Sequence, residues 1–147
     1  MKVILSEKIA RIIKARAKLE RVLKVKISNR GKEITIVGKP EDEYIAEKVI
    51  DAMNFGFSFN HAIEISEQDF LYEILNIKDY TTRRDMERIR GRLIGTGGKT
   101  LKTLSDLTDC HVEIKGNEIA LIGPPETIEN AREGIISIVK GSKQANV

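Results

Sequence analysis

The stretch Arg90-Gly91-Arg92-Leu93-Ile94-Gly95-Thr96-Gly97-Gly98-Lys99-Thr100-Leu101-Lys102-Thr103-Leu104 decides how this chain is read. Upstream, Met86, Ile89 and Leu93 recur at helical spacing, and downstream Leu101, Leu104 and Leu107 form a second apolar stripe. Three glycines in four positions stand between them, at Gly95, Gly97 and Gly98. A glycine inside a helix costs about 1 kcal/mol relative to alanine, so this cluster must end one helix and open another. A turn without Cβ atoms lets a sugar-phosphate backbone approach the main chain. Its N–H groups, at the start of the next helix, suit a phosphate. Arg90, Arg92, Lys99 and Lys102 surround the turn with positive charge.

The glycines alone are a weak signal. The spacing is not that of a Walker A loop, and a helix rather than a strand precedes the turn, which argues against a dinucleotide loop. A helix-helix turn with incidental glycines is the competing reading.

Charge supports a polyanionic partner. The net charge is only +3, but residues 1–32 carry eleven Lys or Arg against two Glu, a local +9. Residues 81–103 carry seven basic against two acidic residues, a local +5, and the remaining stretches are acidic. Two basic regions on an acidic chain point to nucleic acid, although solvated helix faces would give the same pattern. In the first region Arg11, Lys14, Lys18 and Arg21 fall on one helical face, with Ile9, Ile12, Ile13 and Leu23 mostly opposite.

An internal repeat sets the organisation. Ile34-Thr35-Ile36-Val37-Gly38-Lys39-Pro40-Glu41 reappears as Ile119-Ala120-Leu121-Ile122-Gly123-Pro124-Pro125-Glu126, and Ala46 and Ile50 match Ala131 and Ile135. Each copy predicts a strand, a Gly-Pro break and a helix opened by Pro and an acidic turn. Ahead of these lie Val25-Lys26-Ile27 and Val112-Glu113-Ile114, with turns expected at Asn29-Arg30-Gly31 and Gly116-Asn117, so each copy holds a hairpin. Earlier still come apolar extended segments, Val3-Ile4-Leu5 and Phe70-Leu71-Tyr72-Glu73-Ile74-Leu75, each followed by helical sequence. The expected organisation is α+β in two halves of order β-α-α-β-β-α, with boundaries 1–54 and 70–147. Residues 55–69, with Phe55, Phe57 and Phe59 alternating, are expected to form a packed connector; an extra strand of one half is the alternative.

Some function classes are disfavoured. No apolar run approaches the roughly 18–20 residues that cross a bilayer, and charges return too early in the first residues for a signal peptide. With Cys110 as the single cysteine there is no intrachain disulfide, so a cytoplasmic protein is expected. His61 and His111 lack ligand-spaced partners, so no metal and no cofactor is expected. Cys110 reads as a small core residue, and Glu41, Asp42 and Glu43 as helix N-terminal charges. No nucleophile-base pair or paired carboxylate motif is visible, hence no enzyme.

Leu93-Ile94-Gly95-Thr96-Gly97-Gly98-Lys99-Thr100, between two helices and ahead of a hairpin and a helix, resembles the I-G-x-x-G-K signature of KH domains. The resemblance covers residues 70–141 and implies a type I KH fold that clamps about four nucleotides of single-stranded RNA at the turn. It makes Gly95, Thr96, Gly97, Gly98, Lys99, Arg90, Arg92, Ile94 and Lys102 the expected RNA-binding residues. Arg11, Lys14, Lys18 and Arg21 are a possible secondary RNA contact. The turn departs from many KH turns in lacking a basic residue at its variable positions, Thr96 and Gly97.

Residues 1–54 share the element order, and Ser6-Glu7-Lys8-Ile9-Ala10-Arg11-Ile12-Ile13 is similar to the approach to a KH turn. No glycine occurs before Gly31, so this half resembles a degenerate KH domain. A degenerate first domain, a connector and a second domain with the full turn resemble the archaeal relatives of the pre-ribosomal "partner of Nob" KH proteins. That resemblance implies binding near the 3′ region of small-subunit ribosomal RNA, a role in rRNA processing or ribosome assembly, and a ribosome-assembly or translation-factor protein partner.

Aromatic placement separates this reading from RRM and OB folds, which stack bases on exposed rings. All seven Phe and Tyr lie at or before Tyr80, so bases would rest on aliphatic side chains, with Ile94 the chosen groove residue. Two alternatives stay open: an RNA-binding module of an exosome or translation complex, and a protein-docking scaffold.

Overall fold

The computed structural model describes residues 1–82 and 84–141. Arg83, one of the basic residues counted above, and residues 142–147, the end of the expected 70–147 half, lie outside the described residues. The chain divides into two compact units, Met1–Asp69 and Phe70–Val147.

In the first unit the strands are β1 (Lys2–Leu5), β2 (Lys26–Arg30) and β3 (Glu33–Val37), all antiparallel in the order β1-β3-β2. The central strand buries Ile34 and Ile36 completely, as its alternation requires. Helices α1 (Ile9–Leu23) and α2 (Pro40–Phe55) cover that face with Ile12, Leu19 and Leu23, and with Ala46, Val49, Ile50 and Met53. Pro40 opens α2, followed by Glu41, Asp42 and Glu43. Glu43 is buried: one carboxylate oxygen accepts from the Met1 amine at 2.9 Å and the other from the Gly38 N–H at 2.9 Å. The amine first, and then the Gly38 N–H, hold this carboxyl below the usual carboxylate range.

Two expectations for this half are corrected. The helix pair expected between β1 and β2 is one continuous helix of 15 residues, α1. It contains neither Gly nor Pro, so nothing interrupts its hydrogen bonds until Lys24 takes a left-handed φ of 60° and ends it. Asn29 and Arg30 belong to β2, and the hairpin turn is Gly31-Lys32. Residues 55–69 add two one-turn helices, α3 (Phe59–Ala62) and α4 (Glu64–Glu67), rather than a strand. Phe55 and Phe57 are buried with ring centroids 6.3 Å apart.

The second unit runs β4 (Leu71–Asn76), α5 (Met86–Ile94), α6 (Lys99–Thr108), β5 (His111–Lys115), β6 (Glu118–Gly123) and α7 (Ile128–Val139). A 3-10 turn, Ile77–Asp79, follows β4, and a second, Thr96–Gly98, joins α5 to α6. The sheet is antiparallel in the order β4-β6-β5. Leu75, Ile119 and Leu121 from the sheet meet Ile89, Leu93, Ala131, Ile135 and Val139 from the helices in one core.

Two details differ from the sequence expectation. Pro125 precedes α7 instead of opening it: Ile128 N–H donates to the Pro124 carbonyl at 2.9 Å, and Glu129 supplies the first-turn charge. A residue followed by proline is pushed out of helical geometry, so consecutive prolines delay the helix. In α6 the stripe leaves Leu107 outside, 78% exposed, while Thr108 is buried. Two successive steps of three residues rotate off the face, and a step of four returns to it. Thr108 meets the cost of burial by donating Oγ1–H to the Leu104 carbonyl at 2.6 Å.

Candidate nucleic-acid interface

The turn at Gly95–Gly98 is built by positive φ angles that side chains resist. Gly95 ends α5 with φ 78° and ψ 172°, a region open essentially to glycine alone, and its N–H still bonds the Gly91 carbonyl at 2.9 Å. Gly97 (φ 63°) and Gly98 (φ 76°) are left-handed, and Gly98 is the N-cap of α6. The Gly98 N–H closes on the Gly95 carbonyl at 3.2 Å. The N–H groups of Thr96 and Gly97 stand ahead of the first bond of this turn, on two exposed residues. The glycines have different reasons to be glycine. A Cβ on Gly95 would strike Thr100, whereas Cβ atoms on Gly97 or Gly98 would meet nothing within 4 Å.

Lys99 and Lys102 are exposed on α6, beside the turn in sequence, and Arg92 is half-buried on the last turn of α5. Ile94 is 40% exposed while its neighbour Leu93 is buried, so Ile94 is the apolar side chain left at the surface next to the turn. The turn, Ile94, Arg92, Lys99 and Lys102 thus occupy one continuous segment. Arg90 is directed elsewhere: its Nη1 donates to Asn117 Oδ1 at 3.1 Å and to the Gly116 carbonyl at 3.4 Å, in the β5–β6 turn. Asn117 is therefore a residue the sequence reading missed. The turn itself was legible, but no spacing in the sequence names its partner on α5.

In the first unit Arg11, Lys14, Lys18 and Arg21 are all exposed on α1. Arg11 Nη1 donates to the Gly56 and Phe57 carbonyls at 3.2 and 3.3 Å, and Lys18 Nζ lies 5.8 Å from the Phe59 ring centroid. The stripe therefore leans at two points on the segment after α2, and Lys14 and Arg21 lie on the same exposed face.

Cys110 is buried, which pushes its thiol above the usual range and keeps it a poor nucleophile. Gly123 is required beside it, because a Cβ there would come within 2.3 Å of Cys110 Sγ. Among the described residues no group of three or more His, Cys, Asp or Glu could hold a metal, and no helix is long and apolar enough to cross a membrane.

Three comparisons bear on this site. Residues 71–147 match the model of the second KH domain of PNO1, a eukaryotic type KH-domain (KH-domain type I). Over 134 residues the chain is 26% identical to a KH domain-containing protein of Methanocaldococcus jannaschii; this covers 86% of the chain but only 59% of that relative's length. Among solved structures it is similar to Dim2p of Pyrococcus horikoshii, with a TM-score of 0.88, 25% identity, and 99% and 93% of the two chains covered. It is likewise similar to a chain of the a/eIF2alpha-aDim2p-rRNA complex of the same organism, with a TM-score of 0.86, 26% identity, and 99% and 88% covered.

Proposed function

The chain belongs to the eukaryotic-type (type I) KH-domain family, of the PNO1 kind, and from that premise we propose that it binds single-stranded RNA through the Gly95–Gly98 turn. The observation that carries the reading is the turn itself: Gly97 and Gly98 hold left-handed geometry, and the space where their Cβ atoms would stand is open. What such a surface favours is close approach of a backbone, with phosphate oxygens accepting from turn N–H groups. Lys99, Lys102 and Arg92 add sequence-independent attraction, and Ile94 offers an aliphatic rest for a base. The reading has no catalytic step.

The proposed RNA is the 3′ region of small-subunit ribosomal RNA, and the proposed role is in its processing or in ribosome assembly. A similar chain stands in an a/eIF2alpha-aDim2p-rRNA complex, which supports an rRNA ligand and a translation-factor protein partner. The first unit fits a degenerate KH domain under the same reading. Its sheet order matches that of the second unit strand for strand, and an uninterrupted α1 stands where the turn would be. The α1 stripe then supplies a secondary phosphate contact.

Crosslinking the protein to RNA in its native cells and sequencing the bound fragments tests the proposal. Enrichment at the 3′ region of small-subunit rRNA is expected; fragments spread evenly over unrelated transcripts would overturn it.

A further inference from the structure

Arg90 carries a charge beside the Gly turn in sequence but donates into the β5–β6 turn, where both acceptors are neutral oxygens. That turn is held from two sides. The Asn117 side chain accepts from Arg90 on α5, and the Asn117 carbonyl accepts from the Ile77 N–H, at the end of β4, at 2.8 Å. The turn has only two residues, with Gly116 at φ 60° in the first position, so it has little freedom beyond what these bonds remove.

The placement matters because Arg90 and Ile94 are four residues apart on α5 and therefore share one side of the helix. Ile94 is exposed at the end that meets Gly95, and Arg90, at the middle of α5, touches the hairpin turn. This side of α5 thus runs from Ile94, next to the Gly turn, back to the Arg90–Asn117 bridge.

We propose that Arg90 is a positioning residue for RNA binding: it fixes the β5–β6 turn against α5, so that RNA leaving the Gly95–Gly98 turn along this flank meets a wall of fixed position. This rests on the RNA-binding reading above and assigns Arg90 a role other than phosphate contact. Both bonds leave Nη1, which stands one covalent bond further from the backbone than a lysine Nζ, so lysine falls short of this turn.

The test is a binding and stability comparison of wild type, Arg90→Gln, Arg90→Lys, Asn117→Ala, the Arg90→Gln/Asn117→Ala double variant and Gly98→Asp, using a short single-stranded RNA at several salt concentrations. A positioning role predicts that Arg90→Gln, Arg90→Lys and Asn117→Ala each lose about three- to tenfold in affinity, the worth of one hydrogen-bonded contact. The double variant should lose no more than the worse single, the non-additivity expected of one shared contact. The salt slope should stay that of wild type. Normal affinity in Asn117→Ala, together with a normal Arg90→Lys and a shallower slope in Arg90→Gln, would make Arg90 a direct phosphate ligand and overturn the proposal. Lost stability with unchanged affinity in the folded variants overturns it equally. Failure of the underlying reading looks different: wild type would not bind, or Gly98→Asp would bind as wild type does.

Discussion

A Cβ built on Gly95 would lie 2.3 Å from Oγ1 of Thr100 and 2.8 Å from its backbone nitrogen, so the end of α5 and the first turn of α6 leave no room between them for a side chain. Gly95→Ala must therefore move α6 as well as adopt a backbone region almost closed to alanine. We expect it to destabilise the second unit by about 2–4 kcal/mol, combining backbone strain with overpacking. Thermal or denaturant unfolding measures this, and an unfolding midpoint equal to wild type would contradict the assigned geometry.

Salt dependence follows from the cluster as the structure leaves it. The cations that flank the turn in sequence and that the reading brings to phosphate are Arg92, Lys99 and Lys102. At roughly −0.7 per neutralised phosphate on a single strand, three contacts give a slope of log affinity against log salt of about −2. Titrations from low to high salt check it; a slope near zero removes these side chains from the interface.

The α1 stripe is tested by RNA length. Replacing Arg11, Lys14, Lys18 and Arg21 with Gln should weaken binding of long RNAs and flatten their salt dependence, while leaving very short RNAs nearly unaffected. Because Arg11 also bonds the Gly56 and Phe57 carbonyls, a Lys14→Gln/Arg21→Gln variant separates charge from packing and should show the same trend, reduced. Equal binding of long RNA by all three proteins would sink the idea of a phosphate track.

Asp51 gives a pH prediction within the first unit. Burial first, and the neighbouring Glu47 second, push its carboxyl up to about 6. The folded state thus holds this proton more tightly than the unfolded chain, whose carboxyl titrates near 3.8. The ionised carboxylate opposes folding above pH 6, and that penalty fades as pH falls from about 6 toward 4. Asp51→Asn should accordingly raise the unfolding midpoint at pH 7 and show a shrinking advantage on acidification. Glu43 titrates alike in both proteins and drops out of the difference. A gap between the two proteins that does not change with pH would refute the assignment.

Much of this was legible because it rests on local physics. Alternation at Ile34/Ile36 marks a strand whose inner face is buried, the apolar run Ile119–Ile122 marks one buried throughout, and three close glycines can only break a helix. What stayed hidden depends on reach or phase. Leu107 continues a spacing of three but rotates off the buried face, where Thr108 takes the place. The absence of Gly and Pro from residues 6–23 lets α1 run through as one helix, a signal masked by the matching element order of the two halves. Alternating Phe55, Phe57 and Phe59 mimics a strand, but Ser58 caps the His61 N–H and starts a helical turn instead. Arg90 beside a Gly turn reads as a phosphate ligand, and its bond to Asn117, 27 residues away, is a contact that no local pattern shows.

The central claim, that the Gly95–Gly98 turn receives the RNA, is tested most directly by titrating folded Gly98→Asp with a short single-stranded RNA. The substitution meets open space and adopts a left-handed φ of 76° that aspartate tolerates better than most residues, at a cost of about 1–2 kcal/mol. Circular dichroism should therefore show the wild-type fold. The carboxylate adds bulk and negative charge where a phosphate would sit, so affinity should fall by about tenfold or more, equivalent to ~1.4 kcal/mol or greater. Wild-type affinity in the folded variant would contradict the account.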